Sequence, residues 1–179
     1  MRTLLITALL AGTASIALAQ GATQPMPESY RAVQMRMLET QRATLLAMAD
    51  SMPEALYRDK VTPPQRDFAQ QVHHCAASMV MIATRYLGGS APTLPDTATT
   101  FNSREGLRAY IIGAYDFAAG VLQNQSAAER VEIVNLFGQM EMPRWQVWDE
   151  VHQHTMWTAG QVVANFRKHG MAPPAFMFF

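Results

Sequence analysis

The sequence has little cysteine and no excess of charge of either sign. Its 179 residues include one Cys, and 14 Lys and Arg side chains balance 14 Asp and Glu side chains. A single cysteine excludes an intramolecular disulfide framework. The balanced charge provides no basic field to neutralise phosphates, so nucleic-acid binding is not expected. With 49% hydrophobic residues, the composition is that of a globular domain that can form its own core.

The sequence also lacks an apolar run as long as a membrane span, which needs about 20 residues. A shorter run from Leu4 to Leu18 follows a basic residue and ends in Ala-Leu-Ala, a pattern typical of a secretory signal peptide. We therefore predict a signal peptide over residues 1–19, cleaved after Ala19. Residues 20–27 form an N-terminal lead and 28–179 one domain. The mature protein is expected to be periplasmic or secreted, without a stable membrane span.

The spacing of apolar residues at intervals of three and four predicts four long helices. They cover residues 28–50, 62–87, 103–123 and 143–168. Thr62 followed by two prolines is typical of a helix start, and Gly170 marks the end of the last helix. Residues 88–102 predict a surface crossover loop, whereas residues 126–142 are compatible with a short helix or with a turn and a strand-like segment. The predicted fold is all-α: an up-and-down four-helix bundle with a longer crossover loop between helices two and three.

The single cysteine, Cys75, is expected to be buried, because a free Cys behaves as a small hydrophobic residue. A nucleophilic role would need a lowered thiol pKa, which only the adjacent histidines could supply. Trp145, Trp148 and Trp157 are interpreted as packing residues, since no basic groove accompanies them as in nucleic-acid stacking sites.

Four of the five histidines fall in two clusters on predicted helices. His73 and His74 lie in helix two, and His152 and His154 lie in helix four. Helical bundles build metal and ligand sites from inward side chains on facing helices. Neighbouring positions point about 100° apart, so the histidines of one cluster cannot all face the interior. Periodicity alone does not choose between them. His169, at a helix C-terminus, is interpreted as a solvated side chain.

At these histidines the sequence resembles the DinB-like superfamily. The resemblance covers nearly the whole predicted mature chain in order, and it implies a small four-helix bundle with a divalent-metal site. The resembling segments are Met-Pro-Glu-Ala-Leu-Tyr at 52–57, Thr-Pro at 62–63, Arg-Asp-Phe-Ala-Gln-Gln-Val-His-His at 66–74, Trp-Asp-Glu-Val-His-Gln-His-Thr-Met at 148–156, Gly-Gln-Val-Val at 160–163, Phe-Arg at 166–167, Gly170 and Pro-Pro at 173–174.

The resemblance also implies which residues would bind the ion. In that family one histidine of helix two and a His-x3-His pair of helix four commonly hold a divalent metal. These positions correspond to His74, His154 and Thr158 of this sequence. The chain departs from the pattern at Thr158, because a hydroxyl is a poor substitute for an imidazole as a zinc ligand.

Three arrangements remain open at this site. Glu150 lies four residues before His154 on the same helical face and would complete a set of two histidines and one carboxylate. A water held through Thr158 would complete a site based on His74 and His154. Alternatively, Glu150 is a solvated charge and the two histidines form a hydrogen-bonded pair without metal. The expected ion is zinc, nickel, iron or manganese.

The activity implied by the resemblance is metal-dependent chemistry on a small-molecule substrate. Some members of the family are thiol transferases, but thiol cofactors are expected in the cytoplasm rather than in an oxidising compartment. Hydrolysis by metal-activated water tolerates export better. No residue is assigned as a general base.

The alternative is an exported bundle without enzymatic activity that binds an apolar ligand or a protein partner. The sequence contains 13 methionines, which serve both irregular cores and adaptable binding surfaces. The C-terminal Phe176, Phe178 and Phe179 must either pack on the domain or expose an apolar patch. A homodimer that covers this patch is the partner predicted from the tail.

Overall fold

A computed structural model of the protein describes residues 28–178, which are mostly helical, as predicted. The predicted signal peptide and N-terminal lead, together with Phe179, lie outside the described residues. In chain order the elements are α1 (Glu28–Ser51), a 3₁₀ helix (Glu54–Leu56), α2 (Phe68–Tyr86), α3 (Thr97–Asn102), α4 (Arg104–Asn124), α5 (Ala127–Val131), β1 (Ile133–Leu136), β2 (Met140–Pro143) and α6 (Arg144–Lys168).

The core lies between the four long helices. α1 packs against α4 and α6, and α2 packs against the same two helices. Apolar side chains between them are fully buried, because removing apolar surface from water is the main stabilising contribution to folding. They include Leu45, Phe68, Val72, Ile111, Val147 and Phe166. The extensive contact between α2 and α6 brings together the two helices that carry the four clustered histidines.

α2 begins later than the sequence predicted. Thr62 does not cap it; the helix starts at Phe68 with Asp67 as its N-cap. The Asp67 carboxylate accepts the Gln70 backbone N–H at 2.8 Å, and the Gln70 side chain accepts the Asp67 backbone N–H in return. The first two backbone N–H groups of the helix, at Phe68 and Ala69, donate to carbonyls of the preceding loop. These groups are satisfied by the loop, so the helix does not extend backwards.

The predicted crossover loop contains a short helix that the sequence analysis did not anticipate. α3 begins after Asp96, whose carboxylate accepts the Thr99 backbone N–H at 2.8 Å. It packs against α4 and α2. A Cβ atom at Gly106 of α4 would lie 2.3 Å from the Thr99 carbonyl oxygen. Close packing of the short helix on α4 therefore requires glycine at this position.

Residues 126–142 adopt both of the structures that the sequence left open. Ser126 and Glu129 form a capping box that starts α5, and β1 then pairs with β2 in an antiparallel hairpin with Leu136 opposite Met140. At the tip of the hairpin, Phe137 and Gly138 have φ angles of 55° and 71°. Consecutive positive φ angles are typical of tight hairpin turns.

α6 agrees with the prediction at both ends. It begins directly after Pro143, and Gly170 follows its C-cap with a φ of 67°. The Gly170 N–H donates to the Arg167 carbonyl and the Met171 N–H to the Phe166 carbonyl, the hydrogen-bond pattern of a Schellman motif. Within residues 28–178, no helix is both long and apolar enough to cross a membrane.

Candidate metal centre

His74 of α2 and His154 of α6 face each other across the contact between these helices. Their ring centroids are 5.5 Å apart and the ring planes are inclined by 76°. Both side chains are partly buried. The structure therefore brings together the two histidines that the family resemblance selected, although they are far apart in the sequence.

A hydroxyl on the next turn of each helix lies beside each imidazole. Ser78 Oγ is 3.4 Å from Nδ1 of His74, and Thr158 Oγ1 is 3.5 Å from Nε2 of His154. Thr158 is 3% exposed, and its backbone carbonyl accepts a hydrogen bond of 3.4 Å from Nε2 of Gln71. Thr158, one of the predicted site residues, thus lies beside the pair.

Both imidazoles are held in the neutral form. Burial lowers the pKa of His74 to about 4, with smaller contributions from the charges of Arg66, His154 and His73. Burial also lowers the pKa of His154, again assisted by the Arg66 guanidinium. A neutral imidazole has a free ring-nitrogen lone pair, and this is the form that binds metal ions.

The remaining clustered histidines lie outside this pair. His73 packs its ring against Tyr110, with centroids 4.3 Å apart. His152 lies 3.0 Å from Nε2 of Gln41 through its Nδ1 atom. Periodicity did not decide which histidine of each cluster faces the other helix. In the structure these are His74 of α2 and His154 of α6. His169 is not simply solvated as predicted, because its Nε2 lies 2.7 Å from a carboxylate oxygen of Asp59.

Two open clefts adjoin the histidine pair. The first, of about 290 Å³, is next to His74 and is lined by Arg66, Gln70, His73, His74, Ala77 and Phe101. The second, of about 380 Å³, is next to His154 and is lined by Glu150, Gln153, His154 and Trp157. Trp157 is 77% exposed, so its interpretation as a packing residue is wrong. The pair is accessible to a small molecule from either side.

The donor atoms at the pair fit part of a metal coordination sphere. His74 and His154 supply two neutral imidazoles, and Thr158 supplies a hydroxyl. Catalytic zinc sites usually have three protein ligands and one open position. Within residues 28–178, no three His, Cys, Asp or Glu side chains are grouped so that they could hold a metal ion. Glu150 therefore does not join both histidines in a three-ligand set, and an ion bound here would keep more than one position for water or substrate.

Cys75, the residue after His74, does not contribute to the site. It is buried, as predicted, and its Sγ lies 3.4 Å from the Gln71 carbonyl oxygen. Burial raises the pKa of its thiol to about 12. The thiolate form is therefore suppressed at neutral pH, which argues against a nucleophilic role.

Arg66 is the charged residue near the pair that sequence reasoning missed. It stands directly before the N-cap of α2 and lines the cleft next to His74. Its sequence position carries no signal, because an exposed arginine in a loop before a helix usually faces solvent. Its charge comes close to His154 as well as His74 because α2 packs against α6.

The fold resembles that of a solved structure, and the sequence matches a protein family. The crystal structure of a DinB-like protein from Bacillus cereus ATCC 10987 has a similar fold, with a TM-score of 0.65 at 14% sequence identity over 80% of this chain and 95% of that one. No curated protein sequence matches the chain. The DinB superfamily matches residues 37–156, a segment that contains both histidines of the pair. Since this match covers more than half of the sequence, the chain belongs to the DinB superfamily.

Proposed function

We propose that this protein is an exported DinB-superfamily enzyme, with its four long helices in an up-and-down bundle. In this proposal His74 and His154 bind a divalent ion, namely zinc, nickel, iron or manganese. The reaction is metal-dependent hydrolysis or group transfer on a small-molecule substrate. The observation that carries the proposal is the pairing of two neutral imidazoles from different helices, 5.5 Å apart, between two open clefts.

The residues around the pair hold it in place for such a role. The Ser78 and Thr158 hydroxyls lie beside one ring nitrogen of each imidazole and restrict ring rotation. The Gln71 side chain donates a hydrogen bond to the Thr158 carbonyl and so links α2 to α6 next to the histidine pair. A divalent ion held by His74 and His154 would supply Lewis-acid polarisation of a substrate oxygen and activation of water. The Thr158 hydroxyl, which can both donate and accept a hydrogen bond, would hold a water beside the pair.

Calorimetric titration of chelator-treated protein with zinc, and then with nickel and manganese, tests this proposal. We expect one ion per wild-type chain. His154→Ala should weaken binding by more than about tenfold, since even residues that only orient a ligand contribute about 10–100-fold to metal affinity.

The matched control is His152→Ala, which removes a histidine of the same helix that lies beside Gln41 rather than His74. This variant should bind zinc as the wild type does. Absence of zinc binding in the wild type, or an equal loss in both variants, would contradict a site at His74 and His154.

Export remains part of the proposal and has its own test. The support is the basic residue, apolar run and Ala-Leu-Ala triplet at the N-terminus, which is the pattern of a cleavable signal peptide. Expression of the full chain in a Gram-negative host should give a periplasmic protein whose first residue is Gln20. Mass spectrometry of intact protein that still begins at Met1 would contradict export.

A second candidate function is binding of an apolar ligand or a protein partner without catalysis. It is favoured by large apolar side chains that are at least about half exposed in the hairpin and the C-terminal tail. These are Ile133, Phe137, Met140, Phe176 and Phe178. Exposed apolar groups of this kind often mark interaction surfaces. A chain that fails to bind any divalent ion would leave this candidate as the better one.

A further inference from the structure

Arg66 occupies a position from which its charge acts on the whole histidine pair. It lines the cleft next to His74 and also a smaller one between Gln71 and Gln161, at the contact of α2 with α6. Its guanidinium lowers the pKa of both His74 and His154. Arg66 thus lies at the mouth of the candidate site rather than on a remote surface.

Among the described residues, Arg66 has no acidic partner of its own. The adjacent carboxylate, Asp67, is engaged by Nε of Arg58 at 2.8 Å and by the backbone N–H of Gln70. Arg66 forms no hydrogen bond or ion pair with any of residues 28–178. The cleft that it shares with His74 contains no Asp or Glu. Its five N–H donors are therefore free to bind a ligand.

The acidic residue of the site lies on the other side of the pair. Glu150 lines the cleft next to His154, together with the exposed Trp157. The cleft next to His74 is thus the cationic side, and the cleft next to His154 carries the carboxylate and a flat aromatic surface. An anionic group approaching the pair meets favourable charge only on the Arg66 side.

We propose that Arg66 and His74 form a subsite for an oxyanion, so that the substrate carries a carboxylate or phosphate group. The Arg66 guanidinium binds two oxygens of this group side by side, and a neutral imidazole N–H donates a further hydrogen bond. This subsite names the substrate class for the site proposed above, and its link to catalysis rests on that proposed function. Oxyanion binding itself does not require a metal.

The test is a titration of the protein with acetate and with inorganic phosphate at constant ionic strength, followed by NMR of the histidine ring signals. We expect saturable shifts at His74 and His154, with His169 unaffected. Arg66→Ala should weaken the apparent affinity by about tenfold or more, as expected for loss of a charge-assisted hydrogen bond. Arg66→Lys keeps the charge but not the planar guanidinium group, so its apparent affinity should lie between those of the wild type and Arg66→Ala.

The matched control is Arg85→Ala, which removes an exposed arginine in the last turn of α2, at the end opposite Arg66. It should titrate as the wild type does. Saturation by acetate assigns the subsite to carboxylates, and saturation by phosphate alone assigns it to phosphate esters. Absence of saturable shifts with both anions, or equal weakening in the Arg66 and Arg85 variants, would overturn the subsite.

Zinc titrations of the same variants separate this subsite from the metal proposal. Arg66→Ala should keep zinc binding or improve it, because a positive charge near the ion is removed. His154→Ala should lose zinc. If the wild type binds oxyanions but no zinc, the metal proposal fails and the subsite stands. If it binds zinc but its response to oxyanions does not depend on Arg66, the subsite fails alone.

Discussion

Thr158 is the residue at which the proposed metal site differs from a set of three histidines. It lies one turn after His154, it is buried, and its hydroxyl is 3.5 Å from Nε2 of that histidine. Thr158→His should place a third imidazole beside the pair and tighten zinc binding by at least about tenfold. Calorimetric titration of chelator-treated protein measures this gain.

Thr158→Val is the control for this change, because it keeps the side-chain shape and removes only the hydroxyl. It should not gain affinity for zinc. Melting temperatures of both variants show whether the larger imidazole is accommodated at the buried position. A folded Thr158→His protein with unchanged zinc affinity would mean that position 158 does not point to the ion.

The lowered pKa of His74 makes the stability of the metal-free protein depend on pH. In the unfolded chain a histidine titrates near about 6.5, whereas burial lowers the pKa of His74 to about 4. Between these values the unfolded state binds a proton that the folded state does not, so the free energy of unfolding falls as the pH falls. Above a pH of about 6.5 this contribution is fully present.

Urea unfolding of chelator-treated protein at several pH values from about 7 to about 4.5 measures this dependence. His74→Gln, which has no titrating group, should lose less stability over this range than the wild type. The remaining slope in the variant would come from His73, His152 and His154, whose pKa values are also lowered by burial. At the acid end, carboxylates whose pKa values are lowered by hydrogen bonds add to it, namely Asp59, Asp96 and Glu129. Equal slopes in both proteins would refute the contribution of His74.

At the level of elements, the start of α2 positions both His74 and Arg66. Asp67 is buried, caps the helix and pairs with Arg58. Asp67→Ala should therefore lower the free energy of unfolding by about 1–2 kcal/mol, the usual contribution of an N-cap. Asp67→Asn keeps a capping oxygen and loses only the ion pair, so its loss should be smaller.

Chemical denaturation of the two Asp67 variants measures this difference. Zinc titration then shows whether fraying of the helix start reaches the site. We expect weaker zinc binding in Asp67→Ala than in Asp67→Asn. Loss of the cap frays the first turn of α2, and His74 lies only about two turns from that end. Equal stability of both variants and the wild type would contradict the capping role.

The elements that the sequence predicted are those determined by local chemistry. α1, α4 and α6 have regular apolar spacing, and the ends of α6 are marked by Pro143 and Gly170. The start of α2 was wrong because Thr62 and Asp67 are both good N-caps. The choice between them depends on carbonyls of the 57–59 loop, which accept the first N–H groups of the helix. Such a contact leaves no periodic signal in the sequence.

The candidate site also depends on tertiary contacts that the sequence pattern does not reveal. The histidines were identified from their types and from the family resemblance, and the structure brings His74 and His154 together. The proximity of Arg66 to His154 depends on how α2 packs against α6, which no local pattern encodes. Residue type therefore predicts the potential ligands, and only tertiary packing determines which of them share one site.

On the scale of the whole molecule, the large exposed apolar side chains of residues 28–178, apart from Trp157 of α6, lie in two segments outside the long helices. One is the hairpin, where Phe137 is 50% exposed, and the other is the C-terminal tail, where Phe176 and Phe178 are 69% and 88% exposed. The two tail rings contact each other, with centroids 5.0 Å apart, rather than packing into the core. Side chains of this size lose favourable free energy while they remain in water.

We therefore expect the protein to form a homodimer through its tail. Truncation after Pro174 should shift the sedimentation coefficient towards that of a monomer over a wide range of concentration. The melting temperature of the monomer should change little, because the rings of Phe176 and Phe178 are exposed and lie outside the core. Phe137→Ser in the hairpin is the control: it removes an exposed aromatic ring of similar size and should leave the dimer intact. A full-length chain that sediments as a monomer would refute self-association, and dissociation by Phe137→Ser would move the interface to the hairpin.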